Sequence, residues 1–207
     1  MQKIYIGRTI KYPQFVDINN ITSQEVELHQ GTEKYRYSLH IPFKDNGSGN
    51  DLVVIMKNPS SASTTFRDNT IFKVCNVAYN HRYTGVIILN LFPIRATNAS
   101  DVVNFYQNPN YNSIMQKNLQ LIQSTCRNRD VVFAWGTNTI RRNRQYSTYY
   151  NNAIINITTN ITSRTFYVQS CACCGNRCIT QSTNQHSNLR FPLHGLRWSC
   201  DSPIFSY

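Results

Sequence analysis

The chain has 207 residues, enough for one domain that buries roughly 70% of its unfolded surface without disulfides. Lysine and arginine total 21 against 10 acids, a net charge of +11, which suits a polyanion or an anionic surface. Thirteen tyrosines and ten phenylalanines exclude a disordered chain, and no apolar run approaches the ~18 residues of a membrane span. Residues 1–34 show little periodicity and read as an N-terminal extension. They open MQKIYIGRTIKYPQF, with no signal-peptide core, so a cytoplasmic location is expected. Residues 35–43, YRYSLHIPF, alternate as a strand does, and KDNGSGND is a turn.

LVVIM at 52–56 is a buried run of the parallel-strand kind that stops in the polar KNPSSAS. Residues 67–80 carry Ile71, Val74, Val77 and Ala78 at helical spacing. A second buried run, Gly85 to Leu89, stops at NLFP. Residues 112–127 read as an amphipathic helix with Ile114, Met115, Leu119 and Ile122 on one stripe. A third run, Val131 to Ala134, stops at Trp135-Gly136, and the basic RRNRQYSTYY then opens a helix to about Ile157. Thr165 to Val168 is a fourth strand, followed by an aromatic tail with a Cys-rich insert over 170–200.

Strands alternating with helices predict a single α/β domain over 1–207. Its expected form has three layers, with a short, mainly parallel four-stranded sheet flanked by helices. Ligands of such folds bind outside the carboxyl ends of the strands, so NPSSAS, NLFPIRATN and WGTNTIRR should line one rim. Cys75 and Cys126 have apolar neighbours and read as buried thiols. Cys171, Cys173, Cys174 and Cys178 lie in SCACCGNRC, a spacing open to a zinc or iron–sulfur site with His186 or Cys200 as a distant ligand. The separated Cys-x-x-Cys pairs of most structural zinc sites are not there, and a loop of reduced thiols is the other reading.

LVVIMKNPSSAS resembles the first motif of the uracil-DNA glycosylase superfamily, in the Asn-Pro form of its mismatch-specific branch. GVIILNLFPIRATNAS resembles that superfamily's second strand, and VVFAWGTNT its strand ending in Trp-Gly. FPLHGL falls where the superfamily carries a His near the start of its DNA-intercalating loop. The order NPS-x-A, Asp-Asn-Thr, NLF, WG and Pro-x-His-x-Leu also resembles a family of bacterial and phage proteins near those glycosylases. The likeness covers about residues 35–198 and implies a uracil-DNA-glycosylase-like fold. Departures are Ser60 in place of the bulky Tyr of the strict uracil enzymes, Gly195 after His194, and the Cys-rich insert.

The resemblance implies hydrolysis of a nucleoside's N-glycosidic bond, with no cofactor, on duplex DNA whose target base is flipped out. A monofunctional enzyme and a monomer are expected, with no membrane. Asn58 would position the attacking water, Asp68 would assist as a carboxylate, and His194 would stabilise charge on the departing base. Asn58 is also a turn former before Pro59, and Asp68 also a helix cap. Asn90 would read the base edge, and Phe92 and Trp135 would stack on the base unless they are core. Arg95, Arg141, Arg142, Arg144 and Arg197 would meet phosphates, and Leu193, Leu196 or Trp198 would wedge into the vacated stack. Lys57 should alternate away from the site, which argues against a Schiff base there. Ser60, Ser61 and Ala62 leave room beside C5 of a pyrimidine. That favours a C5-modified pyrimidine such as the glucosylated hydroxymethylcytosine of phage DNA, and a role in phage defence. The alternatives are a repair glycosylase for uracil or mismatched thymine, and a non-enzymatic basic module with a Cys-rich metal site.

Overall fold

Three short strands with nearly every side chain shielded build the centre of the protein. All five side chains of β3 (Leu52–Met56) are buried, as are all three of β5 (Val131–Phe133) and all but one of β4 (Gly85–Asn90). Strands covered on both faces must be apolar throughout, which is why they read as runs rather than alternations. The computed structural model describes residues 10–27, 34–46, 49–96, 99–136, 143–168 and 204–206. In chain order the remaining elements are β1 (Thr22–Glu27), β2 (Lys34–Pro42), α1 (Asn69–Asn80), α2 (Ala99–Tyr106), α3 (Tyr111–Cys126), α4 (Arg144–Asn160), β6 (Thr165–Val168) and β7 (Ile204–Ser206).

One seven-stranded sheet has the order β1-β2-β4-β3-β5-β6-β7. Pairing is parallel between β4 and β3, β3 and β5, and β5 and β6, and antiparallel at both margins. The sheet is therefore mixed and wider than the expected four-stranded one. Four of the strands read from the sequence are its parallel middle and the alternating segment 35–43 is β2, while β1 and β7 lack the long apolar run that would announce them. The short α2 was likewise not expected. The predicted helices at 67–80 and 112–127 correspond to α1 and α3, with ends displaced by one or two residues.

Two apolar layers enclose the sheet. On one face Val54, Met56 and Ile88 pack against Ile71, Val74 and Ala78 of α1, joined by Tyr12, Val16 and Ile21. Residues 10–27 of the expected extension are thus part of this core, with Asp17 N–H donating to Pro42 O at 2.9 Å. On the other face Val53, Ile55 and Leu89 pack against Phe105 of α2, Ile122 of α3 and Ile154 of α4. Cys75 and Cys126 are buried free thiols, and burial raises the pKa of both.

Gly85 starts β4 where no side chain fits. A Cβ there would lie 2.7 Å from Asp51 Oδ1 and 2.9 Å from the Ile41 carbonyl oxygen. Backbone atoms of β2 do not give way as a flexible side chain does. Gly85→Ala is expected to cost about 1–3 kcal/mol, read as a lower midpoint in urea with an unchanged slope. A midpoint equal to wild type would mean that β2 moves freely relative to β4.

Candidate functional site at the carboxyl edge of the sheet

The chain leaves the carboxyl ends of β3, β4 and β5 at Lys57, Leu91 and Ala134. From β3 it crosses through α1 on one face to β4; from β5 it crosses through α4 on the opposite face to β6. The two loops diverge from adjacent strand ends, the place where open α/β sheets hold ligands. Helices α1, α2 and α4 all begin at this edge, so the positive ends of their dipoles face it.

Asn58 is half-buried, and its side-chain amide donates to the Ala96 carbonyl at 2.8 Å. That bond ties the loop after β3 to the loop after β4 and fixes the amide's orientation. Asp68 caps α1, its Oδ1 accepting from Ile71 N–H at 2.9 Å, while Oδ2 lies 3.5 Å from the Ser61 hydroxyl. Its capping role, open in the sequence, is therefore realised, with one oxygen left facing Ser61. Ser60 sits between Ala62 N–H at 3.4 Å and Arg36 Nη2 at 3.5 Å.

Asn90, the last residue of β4, pairs in register with Met56, whose side chain belongs to the α1-side core. Asn90 is 0% exposed, and neither its Nδ2 nor its Oδ1 has a hydrogen-bond partner among the described residues. Leaving a buried polar group unpaired costs about 1–3 kcal/mol. The backbone there is better served: Asn118 of α3, itself buried, donates to the Asn90 carbonyl at 2.9 Å and to that of Leu91 at 3.5 Å. Asn118 Oδ1 and Trp135 Nε1 are also buried without a partner among the described residues.

Arg36 of β2 was not recognisable from the sequence. It is 1% exposed, its Nη1 donates to the Ala62 carbonyl, and its Nε is unpartnered among the described residues. Burial, and then the nearby Arg95 charge, bring the guanidinium pKa down to about 10, so it is still charged at neutral pH. β4, which ends in Asn90, lies between β3 and β2, so the loop after β3 and Arg36 of β2 meet across β4. Arg36 thus latches the Asn58–Ala62 loop to β2. No sequence signal marks Arg36, because a strand near the sheet margin tolerates charge. Asn118 had one: it falls on the line Ile114, Asn118, Ile122, Cys126, a polar residue on the buried face of a helix.

The two expected stacking residues do not face the rim. Phe92 and Trp135, expected as stacking surfaces, are core side chains at 0% and 2% exposure. Phe92 meets Tyr106 edge-on, and Trp135 leans on Phe133 at 4.4 Å between ring centres. Both strand ends turn these rings towards the α2–α4 layer, where apolar burial is greater than at the rim. Lys57 points to that layer too, its Nζ 5.2 Å from the Tyr150 ring centre, and burial lowers its pKa. Arg95 pairs with Glu25 of β1 at 3.2 Å, a partly exposed pair of little energetic weight. Arg144 is exposed as the first residue of α4, which Asn143 caps. Arg141, Arg142, His186, Leu193, His194, Leu196, Arg197, Trp198, Cys200 and the cluster Cys171, Cys173, Cys174 and Cys178 lie outside the described residues. Among the described residues no group of His, Cys, Asp and Glu has the arrangement of a metal site, and no helix is long and apolar enough to cross a membrane.

Arg36→Met keeps the length of the side chain but removes the latch. Hydrogen exchange at residues 60–63 is expected to quicken by at least ~10-fold, while global stability changes by less than about 2 kcal/mol because a desolvated charge is removed with the bond. Unchanged exchange in that loop would show that Tyr12, which donates to the Ser63 carbonyl at 2.6 Å, holds it alone.

The model of a family described as a protein of unknown function, DUF1643, matches residues 36–186. No curated protein and no solved structure matches the chain.

Proposed function

The chain belongs to the DUF1643 family, and from that premise we propose that it is a DNA glycosylase that hydrolyses the N-glycosidic bond of a C5-modified pyrimidine and leaves an abasic site. One observation carries the reading: the buried Asn90 amide, unpartnered among the described residues at the end of an apolar strand, offers a donor and an acceptor side by side. That pair complements the edge of a pyrimidine, and a bound base would relieve an energetic cost that the closed site now bears. The base enters when the Asn58–Ala62 loop lifts from Arg36.

In this reading a water held by Asn58 attacks the sugar's anomeric carbon. The bond to the base nitrogen breaks, and its electron pair leaves with the base. Asp68 Oδ2 takes the water's proton while Oδ1 keeps its cap on α1. The positive ends of α1, α2 and α4, together with His194 as the resemblance implies, answer the negative charge on the base. Small side chains at Ser60, Ser61 and Ala62 leave space for a C5 substituent. Modified pyrimidines of this kind, such as glucosylated hydroxymethylcytosine, occur in phage DNA, so the activity would serve defence against phage. Duplex DNA is the proposed partner.

The direct experiment incubates the protein with glucosylated phage DNA and with plain DNA and looks for released base by mass spectrometry. Asn58→Ala and Asn90→Ala should each slow release by at least ~10²-fold and leave DNA affinity nearly unchanged. Release at wild-type rates from both variants would place the chemistry elsewhere. Ser60→Tyr should abolish release of the glucosylated base and spare any release of an unmodified one, since a rigid ring in a packed loop is not accommodated by small shifts. Full activity of Ser60→Tyr on the bulky base would rule out this loop as the C5 side of the pocket.

A further inference from the structure

The opposite edge of the sheet carries an open cleft of about 620 Å³. It is formed where the chain enters the parallel strands, by the segments just before β3, β4, β5 and β6. Four arginines line it, Arg82, Arg127, Arg129 and Arg164, against a single acid, Asp130. The five residues of β3 separate it from the carboxyl edge by roughly 15 Å, so it is distinct from the site above.

The acid is already spent. Arg164 holds Asp130 with Nε and Nη2, each at 2.8 Å, and the Tyr83 hydroxyl donates to it at 2.8 Å. Arg129 donates from Nη1 to the Thr125 carbonyl at 2.8 Å, within the last turn of α3. Arg82 and Arg127 are exposed, and neither pairs with a carboxylate among the described residues.

Helix ends account for only part of this charge. α1, α3 and α4 all finish at this edge, and each carboxyl end carries about −0.5 of a charge. Together with Asp130 they offset roughly two and a half of the four guanidiniums, and Asp51, paired with His40 just outside the lining, also attracts Arg129, so the positive excess rests on Arg82 and Arg127. The backbone is also held in a costly form here. Arg82 has φ 65° and Asn128 φ 59°, two of the three non-glycine residues with positive φ among the described residues. Asparagine tolerates that conformation; arginine does so at a cost, which the fold sustains while keeping Arg82 at the mouth of the cleft. Asn128 and Thr162 add neutral hydrogen-bonding groups, while the Ser163 hydroxyl already donates to the Cys126 carbonyl.

We propose that this amino-edge cleft is a second binding site, which takes the phosphate groups of a polyphosphate-bearing ligand. Guanidiniums in excess, flanked by amides and hydroxyls, suit phosphate oxygens, which accept paired N–H bonds from arginine. The phosphates of a free nucleotide and those of a nucleic-acid strand share this chemistry.

Calorimetry on the full chain distinguishes the sources, with three probes: tripolyphosphate, adenosine triphosphate and an unmodified 12-nucleotide single strand. The double variant Arg82→Gln/Arg127→Gln is compared with Lys11→Gln/Lys44→Gln, which removes the same charge from exposed positions outside the cleft. The cleft variant is expected to lose at least ~10-fold in affinity, and for the strand the slope of log affinity against log salt should flatten by ~0.7 per lost contact. Either single variant alone should show a smaller loss in the same direction. Equal affinity for tripolyphosphate and the other probes supports a free-polyphosphate site; much tighter binding of the strand supports a nucleic-acid site. No binding of any probe at about 1 mM, no effect of the cleft variant, or an equal loss in the control variant would overturn the proposal.

Discussion

Everything at the two edges of this protein follows from the position of β3. It is the strand between β4 and β5, buried on both faces, and the chain departs from β3 and from β5 in opposite directions. Strands that run parallel must be joined by crossovers, and crossovers of one hand that travel in opposite directions lie on opposite faces. α1 therefore covers one face, and α2, α3 and α4 the other. The same constraint sorts the loops. Those that follow strands gather at the carboxyl edge with the amino ends of helices, and those that precede strands gather at the other edge with the carboxyl ends.

At the carboxyl edge the fold bears a local cost. A charged guanidinium is buried without a carboxylate partner among the described residues, and the Asn90 amide is buried with no partner among them. Each is unfavourable by itself. They lie close in the sheet, because Arg36 of β2 grips the loop that leaves β3, and β4, which ends in Asn90, lies between those two strands. Unsatisfied polar groups next to a strand-end loop are what a site looks like before its ligand replaces the missing bonds. Ordinary core residues surround them: Phe92, Trp135 and Leu91 fill the α2–α4 layer and give the rim a rigid base.

The positive charge of the chain divides between the edges for different reasons. At the carboxyl edge it comes from helix dipoles, the buried Arg36 and the exposed Arg144, and Arg95 is already paired with Glu25. At the amino edge it comes from arginines that first neutralise helix ends and Asp130, and then exceed them. Local helix-end electrostatics and long-range attraction for a polyanion are thus met by the same residue type at different positions.

The sequence by itself determined the parallel centre of the sheet. Leu52–Met56, Gly85–Asn90 and Val131–Phe133 are apolar at every position or nearly so, and burial on both faces admits little else. It also marked the helices with long apolar stripes, the rim of polar loops and the cap at Asp68. What it did not carry was the margin of the sheet, where β1 and β7 are held by backbone pairing that leaves little trace in side-chain pattern. Nor did it carry which strand-end aromatics were core, or that Arg36, distant in the chain, holds the loop after β3. Those are decided by strand order. Residues 36 and 62 meet because the loop after β3 and the side chain of Arg36 on β2 reach each other across β4. A local pattern reports how one segment is buried; which segments become neighbours is a property of the whole sheet.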